Sequence, residues 1–457
     1  MKVIIIGGGI GGYTCAIRLS QLGAEVSLVE RDKMGGTCLN RGCIPTKAIL
    51  HSAKAYYDTR HFEELGIYCK NVDIDYEKVA QRKDAVISKL RSGVEYLMKK
   101  NRIRVIKGSA KLRNDTTVEV ITDTGREELI SDYIVLATGS RPVDLKIAPV
   151  DNKVILDSTG LLNLTEQPDS LIVLGGGVVG CEIAQAFAMM DTEVTVVEML
   201  PRLLANLDEE FSALLARRFK ADGIEVALST KLLSAEVEED GVTVTLEKDG
   251  QSYTISAEKL LVSVGRRPNT EDLGLENVGV EMGPKGNIVV DATMRTSCPT
   301  IFAVGDVTGG AVQLAHVSGH QGMIAAENIF GEEKEMDYTA VPSCIYTSPE
   351  LATIGVTAAE ADEEVKVGKF ALSGNGRSLI EGEQDGFAKV VARADDDTII
   401  GVQLAGANVT EMISGMAGII GFEANTDDVS DWLFAHPSVS EAIGEAVLDV
   451  NKTAIHK

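Results

Sequence analysis

Val3-Ile4-Ile5-Ile6-Gly7-Gly8-Gly9-Ile10-Gly11-Gly12 returns later in the chain as Leu171-Ile172-Val173-Leu174-Gly175-Gly176-Gly177-Val178-Val179-Gly180. Each copy starts with a short apolar run, which reads as a buried strand, and then bends through Gly-x-Gly-x-x-Gly into a helical pattern. The helices run to about Leu22 and Met190. A second strand follows in each, Glu25–Val29 and Val194–Val197, and ends on an acidic residue, Glu30 or Glu198. The spacing from Gly12 to Glu30 equals that from Gly180 to Glu198. One such unit is a moderate signal, and two with matched spacing are a strong one.

Every position in this pattern has a physical task. Gly7 and Gly175 allow the tight strand-to-helix turn. Gly9 and Gly177 let the backbone approach a pyrophosphate at the helix N-terminus, and Gly12 and Gly180 let helix and sheet pack closely. Glu30 and Glu198 accept hydrogen bonds from an adenosine ribose. A carboxylate at 198 repels a 2′-phosphate, which favours NAD over NADP, with Arg202 close enough in sequence to complicate the choice.

Further strands ending in glycine, Tyr133–Gly139 and Lys259–Gly265, close the two units, and Thr300–Asp306 resembles both. Between them lie alternating stretches such as Val242–Leu246. From about Val341 the pattern turns to mixed strands and helices. The expected class is α/β, with two Rossmann-like dinucleotide-binding domains and a C-terminal α+β module.

A chain of 457 residues supports two to four domains. Its net charge of −24 argues against nucleic-acid binding and favours solubility. The apolar run after Lys2 breaks at Gly7, too early for a secretory core, and no stretch nears the roughly 18 apolar residues of a membrane span. The chain reads as cytoplasmic. Its seven cysteines are odd in number and dispersed, unlike a secreted disulfide framework.

Only Cys38 and Cys43 are close in sequence, at the entrance to a helical run from Ile44 to about Tyr57. In a regular helix they would be separated by about 7.5 Å of rise alone, beyond the roughly 7 Å a disulfide tolerates. The backbone must therefore leave the helix between them, which Gly42 makes easy, while Pro45 suits a first turn. A thiol at a helix N-terminus is acidified and ready for exchange. Buried structural cysteines remain an alternative. A metal site lacks a Cys-x-x-Cys partner or histidine pair.

The stretch Gly35-Gly36-Thr37-Cys38-Leu39-Asn40-Arg41-Gly42-Cys43-Ile44-Pro45-Thr46-Lys47 resembles the redox-active segment of the flavoprotein disulfide reductases, the class I pyridine nucleotide-disulfide oxidoreductases. Within that family it is most similar to the dihydrolipoyl dehydrogenases. Ala137–Pro142, Gly175–Glu182, Val264–Asn269, Gly305-Asp306 and His436–Glu441 follow the family's pattern in order, over nearly the whole chain.

The resemblance implies FAD in the first unit and NAD in the second. It assigns Gly7, Gly9, Gly12, Glu30, Gly36, Thr37, Lys47, Ala110, Thr138, Gly139, Ser140, Asp306 and Ala315 to FAD. Gly175, Gly177, Gly180, Glu182, Glu198, Gly265 and Arg266 fall to NAD, and no metal is implied. Lys47 would contact the flavin and pair with Glu182, Asp306 would hold the ribityl chain, and Cys43 would lie against the isoalloxazine ring. The implied domains are 1–143 with 272–339 (FAD-binding and central), 144–271 (NAD-binding) and 340–457 (interface).

Near the C-terminal end, His436 precedes Pro437, a good first helical residue, so His436 is expected to cap a helix starting there, with Glu441 orienting its ring. A local structural cap is the plainer reading. In the family this histidine is a base supplied across a homodimer interface, which makes Cys38, Cys43, His436 and Glu441 the catalytic set.

The implied reaction oxidises dihydrolipoamide to lipoamide through a Cys38–Cys43 disulfide and FAD, reducing NAD to NADH. The implied partner is a lipoyl-bearing domain of a 2-oxo-acid dehydrogenase complex or of the glycine cleavage system. Glu198 stands where glutathione-type reductases carry basic residues, and residues 451–457 hold no cysteine pair of the mercuric-reductase kind. Phe434 and Arg41 depart from the common pattern of many relatives. Another NAD(P)H-dependent disulfide reductase, or a flavin-bearing redox-sensing docking subunit, are the rival readings.

Overall fold

The computed structural model of the protein describes residues 1–310 and 312–457. They form two compact units. One comprises Met1–Ser52, Asp73–Gln167 and Val264–Asp337; the other comprises Ala53–Val72, Pro168–Ser263 and Tyr338–Lys457.

In the first unit, β1 (Lys2–Ile6) leads into α1 (Ile10–Gln21) and β2 (Glu25–Glu30), followed by α2 (Gly36–Arg41) and the part of α3 (Cys43–Asp58) that runs to Ser52. β1 is the middle strand of a parallel sheet ordered 301–303, 133–136, β1, β2, 104–107. Its unbroken apolar run follows from this position, because a central parallel strand is covered on both faces. Val3, Ile4, Ile5 and Ile6 are all buried. One face packs on the cluster of Leu112, Val118, Val120, Leu136, Leu273 and Ile301. Burial of each such side chain contributes about 1.5–3 kcal/mol. α1 crosses the helix Ala315–Ile329 at bare backbone: a Cβ on Gly322 would lie 2.4 Å from the Gly11 carbonyl oxygen.

The second unit repeats the theme with β3 (Ser170–Leu174), α4 (Val178–Met189) and β4 (Glu193–Val197). β3 lies between β4 and 259–262, and β4 also pairs with 225–227, all in parallel. Strands 231–238, 241–248 and 251–257 form an antiparallel meander, with Val242, Val244 and Leu246 buried as their alternation requires.

The same unit holds a five-stranded antiparallel sheet ordered 343–345, 350–355, 399–406, 387–393, 365–371. The helix Val409–Gly421 and α5 (Glu441–Val450) share a core with it, built on Val390, Val402, Leu404, Ile413, Ile443 and Val447. α5 comes so close to the edge strand that a Cβ on Gly368 would lie 2.0 Å from the Ala446 carbonyl oxygen. The two nucleotide-type units and the α+β module thus match the class read from the sequence.

One expectation is corrected here. The helix near His436 starts at Glu441, not at Pro437. Glu441 Oε2 accepts the Ser438 N–H at 2.9 Å, and residues 436–440 form a turn ahead of the helix. A residue before proline is pushed out of helical geometry, so His436 stands outside α5 rather than at its cap.

Candidate active site

The two glycine turns are built alike. Gly7 and Gly175 share a φ of 109°, a region that favours glycine. A Cβ on Gly12 or on Gly180 would lie 2.0 Å from the carbonyl oxygen of Gly7 or Gly175 respectively. The middle glycines differ in kind. A Cβ on Gly177 would meet nothing within 4 Å, and one on Gly9 only Gly36 Cα at 3.8 Å. The protein's own packing does not require glycine there, which leaves this stretch of backbone open to close approach by a ligand.

Gly9 and Gly177 cap α1 and α4 without any side-chain hydrogen bond, which leaves first-turn N–H groups for a phosphate. Glu30 Oε2 accepts the Gly8 N–H at 2.6 Å and Oε1 the Asp32 N–H at 2.8 Å. Glu198 does the same with Gly176 at 2.6 Å and Leu200 at 2.7 Å. Each oxygen keeps a second lone pair for a vicinal ribose diol. These turns fit dinucleotides. Arg202 does not modify the second one, because its guanidinium is spent on the carbonyls of Ala205 at 2.7 Å and Leu207 at 2.9 Å.

The redox segment folds as two helices broken at Gly42, whose φ of −143° and ψ of −108° depart from a helix as the cysteine spacing demands. Cys38 lies in α2 and Cys43 is the first residue of α3. Asn40 pins α2 from inside, its amide donating to the carbonyls of Met34 and Gly36, both at 3.0 Å. Arg41 forms an ion pair with Asp32.

The two sulfurs are hydrogen-bonded to each other. That bond, followed by burial, pushes the Cys38 thiol well above its usual range, while the nearby Lys47 ammonium works in the other direction. The acidified thiol expected at the helix entrance is therefore not Cys38. Negative charge is favoured at the N-terminus of α3, where Cys43 stands, so Cys38 keeps the proton of the pair. Cys15 and Cys181 are buried in helices, which raises both thiols and leaves them inert.

Ser140, Asp306 and Arg266 meet beside the pair. Ser140 Oγ donates to Asp306, and Arg266 donates to Ser140 Oγ and to its carbonyl oxygen, each at 2.8 Å. Burial lowers the Arg266 pKa, opposed first by Asp306 and then by Cys43; an arginine stays charged regardless. Arg266, assigned with the second nucleotide from sequence, thus lies among residues assigned to the first. Asn269 locks the neighbouring turn, donating to the Thr138 carbonyl at 2.9 Å and accepting Thr138 Oγ1 at 2.7 Å.

Thr37 lies in α2, Ala110 on strand 109–112 and Ala315 at the start of the helix 315–329. Gly139 and Gly265 occupy turns of positive φ. In the other unit Glu182 is 2% exposed and accepts the Tyr346 N–H at 2.9 Å. His436 Nδ1 lies 2.9 Å from Glu441 Oε1. Burial opposes the charge on Glu441, yet the Ser438 N–H and the His436 ring hold its carboxyl below the usual range.

Sequence reasoning missed Tyr13, which neighbours Cys38 and whose hydroxyl is raised chiefly by burial. It also missed the role of Asp32. Tyr13 lies one residue past a motif glycine, which was the available signal; Asp32 had none.

Comparison with known proteins agrees with this geometry. Residues 1–322 match the model of the pyridine nucleotide-disulphide oxidoreductases, and residues 341–447 match the dimerisation domain of the same proteins. The chain is 41% identical to a dihydrolipoyl dehydrogenase of Geobacillus stearothermophilus, covering 100% of this chain and 97% of the relative. It is 42% identical to one of Bacillus subtilis (strain 168), over 99% and 98%. Among solved structures, LpdA from Mycobacterium tuberculosis superposes with a TM-score of 0.92 at 27% identity, over 98% and 99% of the two chains. The HOCl-induced flavoprotein disulfide reductase RclA from Escherichia coli is similar at 0.86 and 28%, over 98% and 99%. A paired dithiol at a helix entrance, two dinucleotide turns and a matching domain order place this chain in the pyridine nucleotide-disulphide oxidoreductase family.

Proposed function

We propose that this protein is a dihydrolipoyl dehydrogenase, oxidising dihydrolipoamide on a lipoyl-bearing domain and delivering the electrons to NAD. The observation that carries the reading is the hydrogen-bonded Cys38–Cys43 pair, set in the unit that also holds the first dinucleotide turn, Lys47 and the Ser140–Asp306–Arg266 cluster. FAD belongs to the first turn and NAD to the second. When bound, FAD supplies a two-electron relay between the cysteines and the nicotinamide.

The chain's own residues do the thiol chemistry. His436 of the partner subunit takes a proton from the substrate dithiol. The resulting thiolate attacks Cys38, the Cys38–Cys43 bond breaks, and Cys43 leaves as a thiolate stabilised at the α3 N-terminus. As the second substrate thiol gives its proton to the base and attacks the mixed disulfide, the Cys38–substrate bond breaks and Cys38 leaves, taking up the proton first removed from the substrate. Two electrons now reside in the cysteine pair and the product is a cyclic disulfide. Lys47 would contact the flavin, Asp306 would hold its ribityl chain, and Glu198 would select NAD. The working form is a cytoplasmic homodimer, with 1–143 and 272–339 forming the FAD-binding and central domain, 144–271 the NAD domain and 340–457 the interface. The partner is a lipoyl-bearing domain of a 2-oxo-acid dehydrogenase complex or of the glycine cleavage system.

Anaerobic titration of the purified yellow protein with dihydrolipoamide tests this. It should yield a long-wavelength thiolate-to-flavin band, and NAD in excess should then return the oxidised spectrum with NADH formed. No NADH under these conditions would leave a redox sensor instead. Mixed dimers of Cys38→Ser and His436→Gln chains should regain activity; hybrids as inactive as both parents would rule out a base contributed in trans.

A further inference from the structure

α5 carries Glu441, Glu445 and Asp449 at successive turns of one face. Each carboxylate meets a basic side chain. His436 Nδ1 lies 2.9 Å from Glu441, His456 Nδ1 lies 2.7 Å from Glu445, and Lys457 Nζ lies 2.7 Å from Asp449, with Lys452 at 3.6 Å. The segment after α5 folds back along the helix to make these contacts. Glu445 Oε2 accepts the N–H groups of Ile455 at 2.9 Å and His456 at 3.0 Å, and Thr453 N–H bonds the Leu448 carbonyl at 3.0 Å. From the packed edge strand, Lys369 N–H donates to Asp449 at 2.8 Å, and the Phe434 ring lies over Gly444, where a Cβ would come within 2.9 Å of it.

We propose that His456 is a positioning residue for the His436–Glu441 pair, neutralising Glu445 one helical turn away so that no second bare carboxylate acts on the pair that moves the proton. The inference deepens the proposed function and rests on His436 being the base. The charge of His456 is felt at Glu441, the weakest of the influences holding its carboxyl down. Without the His456 ring, Glu445 loses its side-chain partner, adding a proton to the pair becomes easier, and the pair is a poorer acceptor. Glu441, Glu445, His436 and His456 are the ionisable side chains on this stretch of the face, with Asp449, Lys452 and Lys457 a turn beyond.

The test is the pH profile of kcat/KM for dihydrolipoamide oxidation by the flavin-loaded dimer, for wild type, His456→Gln and the Glu445→Gln/His456→Gln double variant. The acid limb of His456→Gln should move up by about 0.3–0.5 pH unit at low salt and return on raising salt to about 0.5 M. The double variant, with both charges gone, should regain the wild-type limb. Flavin reduction by NADH, which does not use the pair, should be the same in all three. Coincident limbs for wild type and His456→Gln would overturn the proposal, as would a double variant displaced as far as the single one, which marks a tail that merely came loose. If His436→Gln still turns over dihydrolipoamide, the underlying assignment of the base fails; if it is inactive and the His456→Gln profile stays put, only the role of His456 does.

Discussion

Glu441 divides its carboxylate between two donors, with Oε1 2.9 Å from His436 Nδ1 and Oε2 2.9 Å from the Ser438 N–H. The ring is thereby held through Nδ1, while its side chain is 81% exposed. His436→Gln should lower kcat for dihydrolipoamide by roughly 10²–10⁴-fold. Glu441→Gln keeps the geometry without the charge and should cost less. Stopped-flow reduction of the flavin by NADH, compared with steady-state turnover, separates the two half-reactions, and only the thiol half should slow.

The hydrogen bond to Cys43, followed by burial, raises the Cys38 thiol, while the α3 N-terminus favours charge on Cys43. Cys38→Ser should therefore retain a thiolate-to-flavin absorption band at neutral pH, and Cys43→Ser should lose it. Absorption spectra of the two oxidised variants, without added reductant, decide this directly.

Gly177 and Gly180 separate ligand approach from packing. Gly177→Ala meets nothing within 4 Å and should leave stability within about 0.5 kcal/mol of wild type. Gly180→Ala places a methyl 2.0 Å from a backbone oxygen and should cost about 1–3 kcal/mol or more. Both should raise KM for NAD, and thermal unfolding tells them apart.

Cofactor choice should follow Glu198 and not Arg202. Glu198→Ser removes the charge facing a 2′-phosphate and should improve kcat/KM for NADP roughly tenfold relative to NAD. Arg202→Ala should leave that ratio unchanged, because its guanidinium is already bound to the Ala205 and Leu207 carbonyls.

Acid should loosen the segment 436–457. For Glu441, Glu445 and Asp449 burial opposes the charged form, but the donors around each win and hold the carboxyls below their ordinary range. A carboxylate lowered on folding contributes stability that is complete above its unfolded pKa, near 4, and is lost as pH falls through the lower folded value. Hydrogen exchange should show protection of α5 amides constant above about pH 5 and falling below about pH 4.

The local chemistry was legible from residue order. A Gly-x-Gly-x-x-Gly between an apolar run and a helix has few other conformations, and the carboxylates of Glu30 and Glu198 follow from the length of the helix that returns the chain. The break at Gly42 followed in the same way from the reach of two sulfurs five residues apart. Each of these is fixed by backbone geometry over a short span, which sequence states directly.

Tertiary structure decided what depends on charges and donors arriving from elsewhere in the chain. It set the Cys38 sulfur against that of Cys43, and this hydrogen bond, followed by burial, raises the Cys38 thiol. It took Arg202 out of the nucleotide site and brought Arg266 to Ser140 and Asp306, which are distant in sequence. It also moved the start of α5 to Glu441 and folded His456 back beside Glu445. Electrostatic fields and hydrogen-bond partners depend on distance in space, and a linear sequence carries that distance only where the chain is short between the groups.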